Sequence, residues 1–314
     1  LTAGCSVTVG VLTSNAIAQL WGGTGYLFDF GAFPDKFAIG NIWMLVVLGI
    51  VIGLASVGCN YGIINSQKII PKKIPQWAKL IFAFLLCGGV GLALVDTVGG
   101  GHSLIMNIGN GNFVWWMLLV ILLVKLVLIP ISVNSGATGG LFIPMLTIGA
   151  LIGGLFGNLF QLAGLDTTLF KLLIVISMSA FFGASVRTPV TAMVLVMEVT
   201  GSFHSFLFTG ITIFIATLVA EFFKVPPLYD ALLERTVEQE REGKKQKQIS
   251  FKVMVEHNSF ADGKLIKDLL WPPECAVKTI SKGAEQILAS AETKLEGGDM
   301  LLIKAKTYNP DETM

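Results

Sequence analysis

Charge is what this sequence has least of. Asp, Glu, Lys and Arg make up 14% of its 314 residues, against about 25% in an average soluble domain. The shortage is uneven: of the 43 charged side chains, 13 stand between Leu1 and Ala220 and the remaining 30 lie from Glu221 onward. A soluble core must offer water a polar face, which so long an uncharged stretch cannot do; a lipid bilayer makes no such demand. The net charge of +1 leaves no basic footprint for nucleic acid. The 4 cysteines form no CxxC or other ligand spacing, and the 3 histidines are scattered, so no metal site is expected. Cys5, Cys59 and Cys87 lie in apolar runs and read as small buried hydrophobes. An HExxH, a Ser–His pair or paired aspartates inside the apolar segments would be needed for an intramembrane enzyme, and none is found, so no catalytic residue is expected and the chain is not read as an enzyme. An initiator Met is also missing. Leu1 begins inside an apolar run, and the N-terminal part is expected to be absent, so no signal peptide can be read.

Long apolar segments fill the space that charge leaves. Thr2–Trp21, Ile42–Ile64, Trp77–Val95, Phe113–Ser132, Leu141–Leu162, Thr168–Ser185 and Ser205–Phe223 are helix-compatible spans, several near the ~20 residues a straight crossing needs. Val190–Thr200 is too short to cross alone, and short or tilted helices that meet inside protein are the mark of transporters with broken helices. Lys68, Lys72, Lys73 and Lys79 crowd one loop, which places that loop in the cytoplasm. Counting crossings from there brings Trp115 and Trp116 to the outer interface, Arg187 to the inner one as an anchor, and the charged tail to the cytoplasm.

That tail is expected to form a separate unit. The first region extends to Gln239, 240–248 is a charged linker, 249–306 a small α+β domain and 307–314 a trailing end. Ile249, Phe251, Val253 and Val255 alternate with Ser250, Lys252 and Met254, the period of a strand. Gly263–Leu270 predicts a turn or two of helix stopped by Pro272–Pro273. Ala276–Ile280 and Gln286–Ala289 predict strands; Gly297–Gly298–Asp299 predicts a turn before a final strand, Met300–Lys304.

The segment with the most chemistry is Asn134–Ser135–Gly136–Ala137–Thr138–Gly139–Gly140–Leu141–Phe142–Ile143–Pro144. Glycines and small polar residues here lie at membrane depth between two apolar helices. Unpaired backbone is costly in hydrocarbon, so such a segment is buried in protein or lines a watery site. A helix starting near Leu141 exposes first-turn amides and a positive dipole end, and glycines admit a close ligand. The combination describes an anion site of main-chain N–H groups. A hinge or a close helix crossing is the competing reading of the same glycines.

These residues carry a resemblance. Gly139–Gly140–Leu141–Phe142–Ile143–Pro144 is similar to the Gly-Gly-x-Phe-x-Pro signature of the CLC chloride channel and exchanger family, with Thr138 where that family often has Pro. Ser185–Val186–Arg187–Thr188–Pro189–Val190–Thr191, Leu195–Val196–Met197–Glu198–Val199–Thr200 and Pro227–Leu228–Tyr229 resemble three further stretches of it, in the same order. The resemblance covers roughly Thr2 to Gln239. It implies an all-α polytopic membrane protein of inverted-repeat architecture, here its second half, followed by the cytoplasmic α+β unit. It implies that the amides of Leu141 and Phe142 hold a chloride ion, with Gly140 and Ile143 beside it and the Tyr229 hydroxyl donating to the same ion. A neutral phenol suits transport, because a Lys or Arg would hold the ion too well; an interfacial aromatic is the plainer reading of Tyr229. It further implies a homodimer joined near Val190–Phe223, in the inner membrane, with chloride as substrate, protons as a second one in the exchangers, and no cofactor. The gating and proton-relay glutamates would lie upstream of Leu1, which leaves channel and exchanger both open. A fluoride-exporting relative is the nearer alternative, but that branch carries an acid where Leu141 stands.

Glu198 is an ionisable residue at the end of a short apolar helix and a candidate intramembrane acid, functional or merely structural. His102, beside Gly99–Gly101, has no neighbouring carboxylate or thiol to share a metal. In the tail, Ile249–Lys306 resembles the C-terminal domain of the Trk potassium-uptake regulators, through its opening strand and the stretches Gly263–Leu269, Pro273–Val277 and Leu295–Ile303. That implies either a small regulatory ligand or a dimerising unit without one. A potassium transporter would be the reading of the tail alone, but Thr97–Val98–Gly99–Gly100 lacks the Tyr of a carbonyl-lined filter.

Overall fold

The structure is a computed structural model and describes residues 2–21, 26–31, 41–69, 74–97, 99–137, 139–162, 169–201, 206–241, 247–271, 275–283 and 285–307. The chain divides into two compact units, Leu1–Leu232 and Leu233–Met314. The first is helical: α1 (Thr2–Leu20), α2 (Ile42–Ile69), α3 (Gln76–Ala93), α4 (His102–Gly109), α5 (Trp115–Asn134), α6 (Phe142–Leu162), α7 (Phe170–Val186), α8 (Pro189–Thr200), α9 (Phe206–Phe222) and the start of α10 (Leu228–Arg241). Among the described residues, four helices are long and apolar enough to cross a membrane: α2 over Ile42–Ser66, α3, α5 and α6. The apolar helices α7, α8 and α9 are shorter.

The eight apolar segments expected from the sequence are all helices, with ends displaced by a few residues. The helix that pattern reading misses is α4, whose 8 residues are too few to display a period and are bounded by Gly101 and Gly109. The expected division after Gln239 falls inside α10, because that helix runs on to Arg241 and the units part between Leu232 and Leu233. Of the expected linker 240–248, Glu240 and Arg241 are helical, Lys247–Gln248 already belong to a strand and 242–246 lie outside the described residues, as do Lys72, Lys73, Thr138, Pro272–Pro273 and 308–314.

The centre of the first unit is α7, buried at nearly every position between Phe170 and Ser185. An all-round apolar helix needs partners on every side, and glycines on α6 let one come close. A methyl group on Gly149 would sit 2.6 Å from the Ser177 carbonyl oxygen, and one on Gly153 would sit 2.8 Å from the Cα of Ile174. This is the spacing of small residues every fourth position that brings membrane helices into backbone contact. Gly49 and Gly53 do the same for α2 against α9. Polar pairs cross the interior where side chains lose water: the Ser56 and Ser185 hydroxyls lie 3.0 Å apart, and Asn60 Nδ2 donates to the Ser185 carbonyl at 2.9 Å.

Arg187 ends α7 in the left-handed region, with φ 62°. Its guanidinium donates to the carbonyls of Ala220 at 2.7 Å and Val225 at 2.8 Å. It thereby fixes the passage from α9 into α10. Pro189 follows at the first position of α8, where its missing N–H is no loss.

The second unit contains an antiparallel sheet of β1 (Lys247–Met254), β2 (Cys275–Lys282), β3 (Glu285–Leu288) and β4 (Met300–Thr307), in the order β1-β4-β2-β3. Gly263–Leu270 contains a single 3-10 turn, Ile266–Asp268. Val255, Ile280, Leu295, Leu301 and Ile303 form the core. The turn before β4 is held by carboxylates. Asp299 Oδ2 accepts from the Glu296 amide at 2.9 Å, and Asp262 accepts from the amides of Gly297 at 3.0 Å and Asn258 at 2.9 Å. Those backbone donors hold the Asp262 carboxyl below the usual aspartate range, the Asn258 amide contributing most. Lys282 bridges Glu296 at 3.1 Å and Asp299 at 3.6 Å.

Candidate functional site

The break between α5 and α6 is anchored before it opens. Asn134 Nδ2 donates to the Ile63 carbonyl at 3.0 Å and to the Pro130 carbonyl at 2.9 Å, and also meets the Ser66 hydroxyl, which binds the end of α5 to α2. Ser135 is buried; its hydroxyl donates to the Ser132 carbonyl at 2.7 Å and accepts from the Ala137 amide at 3.3 Å. Gly136 then turns the chain at φ 85°, a conformation that favours glycine. A methyl group on Gly139 or Gly140 would meet nothing within 4 Å, so the backbone here borders open space.

Helix α6 begins at Phe142 with the Met145 amide bonded to the Leu141 carbonyl at 3.0 Å. The amides of Leu141, Phe142 and Ile143 come before that first helical bond, and Pro144 has no N–H. No hydrogen bond from those three amides to another backbone group outside the helix is found among the described residues.

A second loop faces this helix start. The single hydroxyl proton of Thr147 is shared between the Ile143 carbonyl at 2.9 Å and the Gly100 carbonyl at 3.2 Å. Gly101 adopts φ 107°, and a methyl group on it would overlap the Thr147 hydroxyl. Lys125, near the middle of α5, is 4% exposed and donates to the Gly99 carbonyl at 3.2 Å. Between these walls lies a cavity of about 430 Å³ lined by Gly139, Gly140, Leu141 and Pro144 on one side, Thr97, Gly99 and Gly100 on another, and Lys125, Ser132 and Cys87 beside them. Leu232 of α10 also lines it.

The predicted site residues separate into two groups. Gly140 and Leu141 line the cavity. Phe142, Ile143 and Tyr229 do not: the Phe142 ring packs edge-on against Phe182 with centroids 5.3 Å apart, and Ile143 lies against Gly100. Tyr229 is 42% exposed, and Leu232, one turn later on the same helix, is what reaches the cavity. Glu198 stands exposed on α8, away from the cavity. His102 Nε2 lies 2.9 Å from the Leu27 carbonyl oxygen and the ring stacks on Phe28, which are packing contacts. Among the described residues no cluster of His, Cys, Asp and Glu could hold a metal ion. Lys125 is the residue that motif reading misses. Its signal was one cation inside the apolar run Trp115–Asn134, and an ionisable group at membrane depth is functional by default.

The family model for voltage-gated chloride channels matches residues 1–221. The chain belongs to that family. Two curated family relatives are the H(+)/Cl(-) exchange transporters ClcA of Yersinia pestis and of Klebsiella pneumoniae. The first is 34% identical over 76% of this chain and 51% of its own length; the second is 34% identical over 74% and 50%. Among solved structures, a slow cyanobacterial Cl-/H+ antiporter superposes with a TM-score of 0.62 at 26% identity, over 70% of this chain and 52% of that one. A CLC-type fluoride/proton antiporter superposes with a TM-score of 0.54 at 20% identity, over 64% and 49%, a likeness that bears on fold alone. The chain spans about half the length of the curated relatives it matches.

Proposed function

We propose that this chain is the second half of the membrane domain of a chloride transport protein, in which an anion sheds water onto main-chain amides at the start of α6. The observation that carries the reading is the cavity beside Gly139–Leu141, where glycine backbone borders open space just ahead of helix amides with no backbone acceptor outside the helix among the described residues. Such amides supply donors fixed in place and the positive end of the helix dipole, which stabilises a nearby anion by about 0.3–1 kcal/mol even when exposed and by up to ~2 kcal/mol when partly buried. No bond is made or broken, and no cofactor is required.

The amides of Leu141, Phe142 and Ile143 are the ligands in this reading, with Gly140 giving access. Tyr229 does not line the cavity but stands at the head of the helix whose Leu232 does, and in this reading its hydroxyl becomes the further donor once that helix turns toward the ion. The 34% identity to proton–chloride exchangers supports coupled exchange over a passive channel, and Leu141, in place of an acid, supports chloride over fluoride. The protein would span the inner membrane several times as a homodimer joined near α8 and α9, both of which carry exposed apolar residues such as Val190, Val194, Phe214 and Leu218. The antiparallel second unit would be a cytoplasmic regulatory domain like those of the Trk regulators, with a small ligand or a dimerising role.

Chloride flux from liposomes containing the protein with its complementary half tests the reading. Chloride-driven proton uptake is expected, and Tyr229→Phe should weaken chloride occupancy in calorimetry. Flux of potassium in place of chloride, or none of either, would defeat the proposal.

A further inference from the structure

A buried ammonium needs a countercharge. Removing a lone cation from water costs several kcal/mol unless another charge or a full set of acceptors replaces the lost hydration. Lys125 has three N–H donors, and the protein acceptor found for them is the Gly99 carbonyl at 3.2 Å. Lys125 takes no part in the salt bridges found among the described residues, which lie at Lys282 in the other unit. The cavity wall that Lys125 shares with Gly140 and Leu141 contains no Asp or Glu. It is built instead from glycine backbone, small hydroxyls and aliphatic side chains.

We infer that Lys125 is the cationic partner of the anion in this cavity, so that the site is not a cage of neutral donors alone. This rests on the reading of the cavity as an anion site and adds to it the residue that sets affinity. The ligand class is a small inorganic anion. The Gly99 carbonyl holds the ammonium to the wall and draws off part of its positive field. This explains how a lysine can serve a site that must also release its ion, since binding has to be favourable enough for entry and weak enough for exit.

The test uses the protein with its complementary half, chloride as the probe and Lys125→Gln and Lys125→Arg as variants. Calorimetry should find chloride bound about tenfold more weakly by Lys125→Gln, which corresponds to about 1.4 kcal/mol, and near wild-type affinity in Lys125→Arg. Unchanged chloride affinity in a folded Lys125→Gln protein would overturn the inference while leaving the proposed function standing; no chloride binding by the wild type would overturn the proposed function itself. Should Lys125→Gln not fold, bromide in crystals of the wild type decides the matter. An anomalous peak within hydrogen-bond distance of Lys125 Nζ supports the assignment, and peaks found only elsewhere refute it.

Discussion

Replacing Gly149 with Ala should separate α6 from α7. The added methyl group would stand 2.6 Å from the Ser177 carbonyl oxygen, 2.7 Å from the Met178 Cα and 3.0 Å from the Met178 nitrogen. All three are main-chain atoms of a helix buried on every side, so no side chain can rotate out of the way and α7 itself must retreat. Overpacking of this kind destabilises by roughly 1–3 kcal/mol. Ala is also the better helix former by about 1 kcal/mol, which would mask part of the effect. A control removes that ambiguity: Gly58, also within a helix, has nothing within 4 Å of the equivalent methyl position. Gly149→Ala and Gly58→Ala share the propensity gain, so the difference between them isolates the clash. In detergent titrations with SDS, followed by tryptophan fluorescence, Gly149→Ala should unfold about 1–3 kcal/mol more easily than Gly58→Ala. Coincident midpoints for the two variants would refute the close packing of α6 on α7.

Two other perturbations have clear signs. Arg187→Ala removes two charge-assisted hydrogen bonds, to Ala220 and Val225, and should lower stability in the same titration by about 3 kcal/mol; Arg187→Gly should lose about 1 kcal/mol less, because φ is 62° there. Asp262 has its folded carboxyl pKa lowered by the Asn258 and Gly297 amides, so its contribution is present above the unfolded value of about 3.9 and is lost as pH falls through that value toward the folded one. Hydrogen-exchange protection around Asn258 and Gly297 should therefore decline below about pH 4 in the wild type; Asp262→Asn should show weaker protection at pH 7 and no such step.

Much of the fold is legible because lipid-facing and buried helices write long apolar runs into a sequence. Trp77–Val95 and Phe113–Ser132 differ from α3 and α5 by only a residue or two at each end. The strands of the second unit are legible for a different reason: alternation along Ile249–Val255 survives in β1, and Gly298 at φ 97° confirms the expected turn. Sequence is silent where function depends on which loops meet. Nothing in Gly99–Gly101 says that it packs on the first turns of α6 through Thr147, and nothing in α4 advertises a helix. Tyr229 shows the converse. Its local motif is intact, yet of the two it is Leu232 that lines the cavity, and which face a helix turns inward is fixed by packing rather than by its own letters. Lys125 was visible as a lone charge, but the role proposed for it depends on Gly99 and Gly140 being brought to the same cavity wall.

Pro144, in the opening turn of α6, brings no hydrogen to the backbone. The row of amides ahead of it therefore ends at Ile143, and the helix start offers a short arc of donors. In the proposed reading that arc would suit a small spherical guest such as a halide. A tetrahedral oxyanion, in the same proposed reading, would arrive with more acceptor atoms than the arc can engage and would have to keep some of its water.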